Sequence, residues 1–399
     1  MDFKEKRPLH IAVDATCWSN DRGFGRFTRE LVGALAARGS DFRYTLLFDR
    51  LPDRPVPEGV AVAAAKSDKD IGQSTTGTSS RSLDYIWKMG ALARATRCDV
   101  FFYPAVYSYF PLLAATPCVV CYHDAIAERF PDLIFPTKLN FRFWQAKTAL
   151  ARLQTRRAMT VSQSSARDIE AYIGIPRTKI DVVTEGPDAA FRLIEDPSVR
   201  ARARASIGVP DGAPFFVYVG GFNRHKNVLR LIAAFERALA SRPDAHLAIV
   251  GNLSGKGFWD NVPELQAAAT ASPALAERVH FAGELPDAQL AELLNAASAL
   301  VFPSLFEGFG LPAVEAMACG LPVLASDRGS LPEVVGEAGL LFDPEDVAAI
   351  ARTLLAFLAD PAMAARLAAA ARERARRFTW ERAAELAEGC FRRCAGGTP

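Results

Sequence analysis

Two glutamates flank a glycine turn in the stretch LFEGFGLPAVEA, residues 305–316: Glu307 stands before Gly308-Phe309-Gly310-Leu311 and Glu315 after it. Paired carboxylates support two kinds of chemistry. As an acid and a base or nucleophile on either side of one bond, they hydrolyse glycosides. As fixed acceptors, they hold a ligand that carries the chemistry itself. The choice separates a hydrolase from a transferase. Other chemistry-bearing residues are scattered along the chain: His123 in CVVCYHD, Arg224 and Lys226 in GGFNRHKN, Gly23 and Gly25 in DRGFGRFT, a C-x-x-C at Cys118 and Cys121, a D-x-D at Asp68 and Asp70, and serines 162, 164 and 165.

The elements around each of these narrow the choice. ALVFPS reads as a strand, Pro312 suits the first position of the helix PAVEAMAC, and Gly320 closes that helix as a C-cap. The turn 307–311 therefore belongs at the carboxyl edge of a parallel sheet, where open α/β folds bind ligands. Its glycines let backbone approach a ligand, and the helix N-terminus offers N–H groups to an anion. Glu315 lies one turn into the helix, so the two carboxylates need not face the same atom. Cys118 and Cys121, three apart on a strand, would point to opposite faces, which favours buried free thiols over a redox or zinc pair. Cys390 and Cys394 sit four apart on the last helix and need no metal either. No G-x-S-x-G elbow surrounds the serines, and helix capping accounts for them. Gly23-Phe24-Gly25 is a poor dinucleotide fingerprint, with Thr28 at the third glycine position. His123 at a strand end fits a structural role as well as a catalytic one.

Short apolar runs alternate with helical stretches throughout. LHIAVDA, YTLLF, VAVAAA, DVFFYPA, CVVCYHD, AMTVS and IDVVTE occupy the first half; FFVYVGG, HLAIVGN, VHFAG, ALVFPS, LPVLAS and GLLFDP occupy the second. Strands apolar on both faces suit parallel sheets covered by helices, giving two doubly wound, Rossmann-like α/β domains. The expected organisation is an N-terminal domain over 1–190 and a second domain over 191–377. A terminal helical segment follows over 378–399, with the N-terminal domain as the surface it could pack back on. The stretch 66–85, rich in Ser, Thr, Gly and charge, reads as a mobile loop. A D-x-D there lacks the rigid strand end a metal site needs, so it is read as a decoy.

Composition sets outer bounds. With 47 basic and 45 acidic residues, no global field points at nucleic acid. No apolar run approaches the roughly 20 residues of a membrane span, and the polar start reads directly into a strand, which suggests a cytoplasmic protein.

Glu307 and Glu315 around GFGLP resemble the E-x7-E motif of retaining glycosyltransferases of the GT-B fold, family 4. AMACGLPVLASDRGSLPEVVGEAGLLFDPED is similar to the same family almost throughout. The resemblance implies two domains facing across a cleft, the first on the acceptor side and the second binding a nucleotide-sugar donor. It implies that Lys226 and Arg224 neutralise the leaving diphosphate in place of a metal, and that Gly221 and Asn227 belong to the same donor loop. Many family members carry the arginine just after the first glycine, where this chain has Gly221. The turn Gly308, Phe309, Gly310 and Leu311 would hold sugar and phosphate by its backbone, Glu307 would orient the sugar and Glu315 the ribose. Gly23 and Gly25 would face the donor from the first domain, and His123 would stand near the transferred sugar.

The implied activity is metal-independent transfer of a hexose, with retention, to a saccharide or lipid-linked saccharide, in polysaccharide assembly as the commonest setting. The alternatives are a non-catalytic nucleotide-sugar binding module and, less favoured, a two-carboxylate glycoside hydrolase, which has no need of a basic diphosphate loop. Residues 137–159 hold six Lys or Arg and no acid, with Phe141, Phe143 and Trp144 near the start. They read either as a patch for an anionic membrane at its inner face or as a helix with a merely solvated basic side.

Overall fold

The computed structural model describes residues 7–20, 23–65, 83–112, 114–254 and 261–396. It divides into two compact units, 1–185 with 380–399, and 186–379. The boundaries expected at 190 and 377 thus fall a few residues away, at Glu185 just beyond the last strand of the first sheet and at Trp380.

The first unit is a seven-stranded parallel sheet built from β1 (Leu9–Asp14), β2 (Phe42–Phe48), β3 (Ala61–Ala64), β4 (Val100–Tyr103), β5 (Cys118–Cys121), β6 (Thr155–Thr160) and β7 (Ile180–Val182), in the order β3-β2-β1-β4-β5-β6-β7. The second unit is a six-stranded parallel sheet of β8 (Phe215–Val219), β9 (His246–Val250), β10 (Val279–Gly283), β11 (Ala299–Phe302), β12 (Val323–Ser326) and β13 (Gly339–Phe342), in the order β10-β9-β8-β11-β12-β13. Every apolar run singled out in the sequence overlaps one of these strands. For the inner strands, unlike β3 at the sheet edge, the reason is burial on both faces: FFVYV in β8, HLAIV in β9 and VLAS in β12 are buried at every position. Such strands read as unbroken apolar runs rather than alternating ones.

Each sheet reverses its winding once, between β1 and β4 in the first unit and between β8 and β11 in the second. At such a switch point the connections leaving two adjacent strands diverge to opposite faces and leave a crevice at the carboxyl edge.

Five of the helices cover stretches singled out in the sequence: α1 (Gly23–Ala37), α2 (Leu83–Thr96), α3 (Lys138–Gln154), α4 (Leu311–Ala318) and α5 (Trp380–Ala395). Helix α2 corrects the loop reading of 66–85, because residues 83–85 already form its first turn; Asp68 and Asp70 lie outside the described residues. Helix α3 corrects the reading of 137–159 as one helix. It ends at Gln154, and Thr155 enters β6, which pairs in parallel with β5.

Helix α5 packs back onto the first unit, against α1 and beside β4 to β7. Phe391 meets Phe102 and Phe42 at ring-centroid distances of 5.2 and 6.3 Å, and Trp380 meets Phe27 at 6.0 Å. Its buried Glu388 accepts a hydrogen bond from Ser40 Oγ and pairs with Arg38 Nε at 3.2 Å. All seven cysteines are free thiols, and six of them are buried. Burial pushes the Cys118 and Cys394 thiols up to about 12, so these are inert core groups.

Candidate functional site

The second unit places the motif residues on both sides of its switch point. β8 runs out through Gly220 and Gly221 into a single 3₁₀ turn, Arg224–Lys226, and β11 runs out into the turn that carries Glu307. β8 and β11 are direct neighbours in the sheet, so these exits lie side by side. Lys226 Nζ donates to both oxygens of Glu307, at 2.7 and 2.9 Å. The side chains are 19 % and 9 % exposed, so water screens the pair weakly. The Phe302 ring lies 5.9 Å from the same ammonium. A lysine ammonium has three N–H donors; two are directed to Glu307, and the third is left for another acceptor.

The surrounding backbone is fixed tightly. Leu305 N–H donates to the His225 carbonyl at 2.8 Å, which ties the β11 exit to the basic turn. Asn227, expected among the donor-binding residues, has a left-handed backbone (φ 63°), a conformation Asn tolerates better than most residues. Its amide donates to the Pro303 and Pro344 carbonyls at 3.0 and 2.7 Å, and its Oδ1 accepts from Arg230 at 2.9 Å. The carboxamide is therefore committed within the protein, to the carbonyls at Pro303 and Pro344 and to Arg230. Tyr218, fully buried in β8, donates its hydroxyl to the Gly221 carbonyl at 2.6 Å. Burial first and the Glu307 charge second push that hydroxyl well above the ordinary tyrosine value, so it stays a neutral donor. His225 is pushed down to about 4 by burial and by the Lys226 ammonium, and is a neutral imidazole. Two buried polar atoms at this corner, Ser304 Oγ and His225 Nδ1, find no hydrogen-bond partner among the described residues.

Two residues unremarked in the sequence hold Glu307 from behind. Ser330 Oγ donates to the Phe309 and Glu307 carbonyls at 2.7 and 3.1 Å, and Ser330 N–H to the Glu307 carbonyl at 3.2 Å. Gly329 is left-handed (φ 62°), and a Cβ there would stand 2.8 Å from the Glu307 oxygen and 2.9 Å from its nitrogen. A glycine before a serine at a helix start, in RGSLPE, was the available signal.

Within the motif turn, Gly310 has φ 97° and leads into α4 as its N-cap; a Cβ there would meet Leu331 at 2.8 Å. The Phe309 ring packs on Phe378 at 5.6 Å, so this residue can offer a ligand only its backbone. Glu315 is buried in α4, and Gly320, also left-handed, closes the helix through its N–H to Met317. Arg224 is exposed on the basic turn.

In the first unit His123 follows β5. Its Nε2 donates to the Pro104 carbonyl at 2.9 Å, while Nδ1 stands 3.6 Å from Glu185 Oε1. Both ring nitrogens thus face acceptors, a setting that suits the doubly protonated imidazolium. Burial opposes that charge, but the Cys121 sulfur and the Glu185 carboxylate outweigh it, and the pKa stands well above the ordinary histidine value. Phe27 of α1 presents an edge-to-face contact at 4.7 Å. Gly25 has a steric cause of its own: a Cβ would fall 2.0 Å from the Asn20 carbonyl oxygen, so glycine lets α1 fold onto the turn before it. Gly23, the first residue of α1, has open space around it.

Ser162 caps the helix Gln163–Asp168 by accepting from Ser165 N–H at 2.9 Å. Among the described residues, no three His, Cys, Asp or Glu side chains gather as metal ligands.

Two parallel doubly wound units, with a lysine and a glutamate paired at the switch point of the second, define a protein of the GT-B glycosyltransferase fold. The comparisons agree. The signature described as glycosyl transferases group 1 matches residues 199–374, and that of glycosyltransferase family 4 matches residues 22–191. The O-antigen chain mannosyltransferase B of Escherichia coli is 36% identical over 278 residues, 66% of this chain and 67% of that one. The chain belongs to this family of glycosyltransferases. The D-inositol 3-phosphate glycosyltransferase of Streptomyces avermitilis is 36% identical over 235 residues, 57% of this chain and 50% of that one. The chain thus spans about half the length of several curated relatives it matches. Among solved structures, sucrose-phosphate synthase from Thermosynechococcus elongatus superimposes with a TM-score of 0.75 at 23% identity, covering 96% of this chain and 98% of that one. Anabaena Alr3699/HepE, in complex with UDP and glucose, has a TM-score of 0.72 at 20% identity, with the same coverage.

Proposed function

We propose that this chain transfers a hexose from a nucleoside-diphosphate sugar to a saccharide or lipid-linked saccharide acceptor, with retention and without a metal. The observation that carries this reading is the Lys226–Glu307 pair between the exits of β8 and β11. In the transfer the bond from the anomeric carbon to the β-phosphate oxygen breaks and its electron pair passes to the diphosphate. The acceptor oxygen bonds the anomeric carbon and its proton passes to the departing diphosphate oxygen. Charge develops on the diphosphate, and a fixed, poorly hydrated cation stabilises that charge more than it stabilises the intact donor. Lys226, with its third N–H, and Arg224 take that role. The 308–311 backbone and the start of α4 hold phosphate and sugar, Glu307 orients the sugar hydroxyls, and Glu315 holds the ribose. His123, its ring nitrogens turned to the Pro104 carbonyl and Glu185, would stand near the transferred sugar as a fixed positive charge rather than as a hydrogen-bond donor to it.

A neighbouring structure's complex with UDP and glucose supports a nucleoside-diphosphate donor, and the relatives' names support a saccharide or sugar-like acceptor. A two-carboxylate hydrolase fits less well, because Glu307 is bound at both oxygens by Lys226, the arrangement of a fixed anion rather than of an acid delivering a proton. The test is a panel of nucleotide sugars offered to the purified protein with EDTA present. Release of nucleoside diphosphate is measured, and the anomeric configuration of the product is read by NMR. An inverted product, activity only after added Mg²⁺ or Mn²⁺, or nucleotide binding without turnover would each overturn part of the reading.

A further inference from the structure

Helix α3 is apolar on two opposite faces. Its inner face is Trp144, Thr148 and Ala151, all buried, with Phe141 half-buried against Phe135 at 5.5 Å. Trp144 also donates to Glu128 at 2.7 Å. Two of the three aromatics noted in the sequence therefore serve the core. The outer face is a separate stripe: Leu139, Phe143, Leu150 and Leu153 are 60, 66, 50 and 78 % exposed. With Ala146 they recur at steps of four, three, four and three, which keeps them on one side of an α-helix. Helices packed on a core by one face normally turn charge or polar groups outward, and a long row of exposed large apolar side chains marks a docking surface.

The charges around the stripe identify what docks. Lys138 and Arg142 border it, Arg152 follows on the last turn, and no acidic residue occurs anywhere in Lys138–Gln154. A second copy placed face to face by a two-fold axis would set these cations against their own equivalents. An anionic lipid surface meets both features at once, taking the apolar stripe below its headgroups and the cations among them. The helix is about 25 Å long at 1.5 Å per residue, and the stripe runs along nearly all of it, so the contact lies in the membrane plane. No single described helix is long and apolar enough to cross a membrane.

We propose that α3 docks the chain on anionic lipid bilayers through Leu139, Phe143, Leu150 and Leu153, flanked by Lys138, Arg142 and Arg152. Docking of this kind would keep the protein at the surface from which a lipid-linked acceptor is presented. It rests on the outer face of α3 alone, so its failure leaves the donor reading untouched.

The experiment is co-sedimentation of the full chain with vesicles of phosphatidylcholine alone or mixed with phosphatidylglycerol, read without sugar substrates. The wild type should bind the anionic vesicles, bind the neutral ones far less, and lose affinity as salt rises. Phe143→Ser with Leu150→Ser should weaken binding by on the order of a hundredfold, since burying each large apolar side chain accounts for at least about tenfold. Lys138→Gln with Arg142→Gln should weaken it on the order of tenfold and flatten the salt dependence. All these positions are exposed, so thermal midpoints should stay at the wild-type value. Absence of binding to any vesicle, equal binding by the apolar variant, or a stable dimer that dissociates in that variant would each overturn the proposal.

Discussion

At the scale of single residues, the two glutamates of the motif should separate in kinetics. Glu307 holds Lys226 and is assigned to the sugar that changes bonding, whereas Glu315 is assigned to a ribose that does not react. Interactions equal in ground and transition states act on KM, and those strengthened in the transition state act on kcat. Glu307→Gln is therefore expected to lower kcat strongly, and Glu315→Gln chiefly to raise the donor KM. Steady-state kinetics on the two variants, with the fold checked by circular dichroism, makes the comparison; an equal collapse of kcat in both would return the hydrolase reading. The residues of the motif were legible because their types and spacing are local. The Lys226–Glu307 pair was not, because its partners are 81 positions apart and only the β8–β11 adjacency joins them. The surroundings of the Asn227 side chain were not legible either, for the same reason. Its sequence position beside Lys226 says nothing of the carbonyls at Pro303 and Pro344 that occupy its amide.

At the scale of elements, the inner strands could be read from composition, since strands buried on both faces carry a signal free of register. The outer strands β3 and β13 share the same apolar residue types although much of their surface is not buried. Turns were harder. The 327–330 turn bears directly on Glu307, yet its sequence shows only a glycine and a serine, and the demand on Gly329 comes from a carbonyl more than twenty residues away. Gly329→Ala forces a left-handed alanine into contact with the Glu307 backbone. It is expected to destabilise the second unit by on the order of 2 kcal/mol and to lower kcat by displacing Glu307. Urea unfolding and turnover on the one variant check both effects. A normal thermal midpoint with normal kcat would show that the turn does not constrain the glutamate. Helix α3 illustrates another loss of information: the aromatics drew attention in sequence, while the exposed stripe is defined by which side of the helix meets the core.

At the scale of the whole molecule, the two-unit organisation followed from strand–helix alternation, and the return of α5 to the first unit accounts for its buried Phe391 and Glu388. Two buried histidines of the second unit, His225 and His246, then share one pH response. His225 and His246 are both pushed down to about 4, His225 by burial and Lys226, His246 by burial and then His280 and Arg278. His246 Nε2 accepts from Arg278 at 3.0 Å while its Nδ1 shares a proton with His280 at 2.8 Å, so protonating the pair disrupts both bonds. In the unfolded chain these rings titrate near 6.5. Between that value and about 4 the unfolded state binds more protons, so stability is complete above pH 6.5 and falls as pH drops through this window. His123, with its raised pKa, acts in the opposite sense, contributing below 6.5 and losing that contribution as pH rises through its folded value. Because His225 and His246 belong to the second unit, its urea midpoint should fall between pH 7 and pH 5; a flat profile would mean that these rings are solvated.

The central claim is that Lys226 holds the leaving diphosphate while Glu307 serves the sugar. Calorimetric titration with UDP, GDP and ADP, taking whichever binds the wild type most tightly, tests it directly on Lys226→Ala and Glu307→Gln. A poorly hydrated lysine–phosphate contact is a charge-assisted bond, whose loss corresponds to about ten- to hundredfold in affinity. Lys226→Ala should weaken nucleoside diphosphate binding by that factor. Glu307→Gln should bind it at least as tightly as the wild type, since the lysine no longer shares its donors with a carboxylate, while sugar transfer is lost. Wild-type affinity in Lys226→Ala would contradict the account, because the diphosphate would then be held elsewhere.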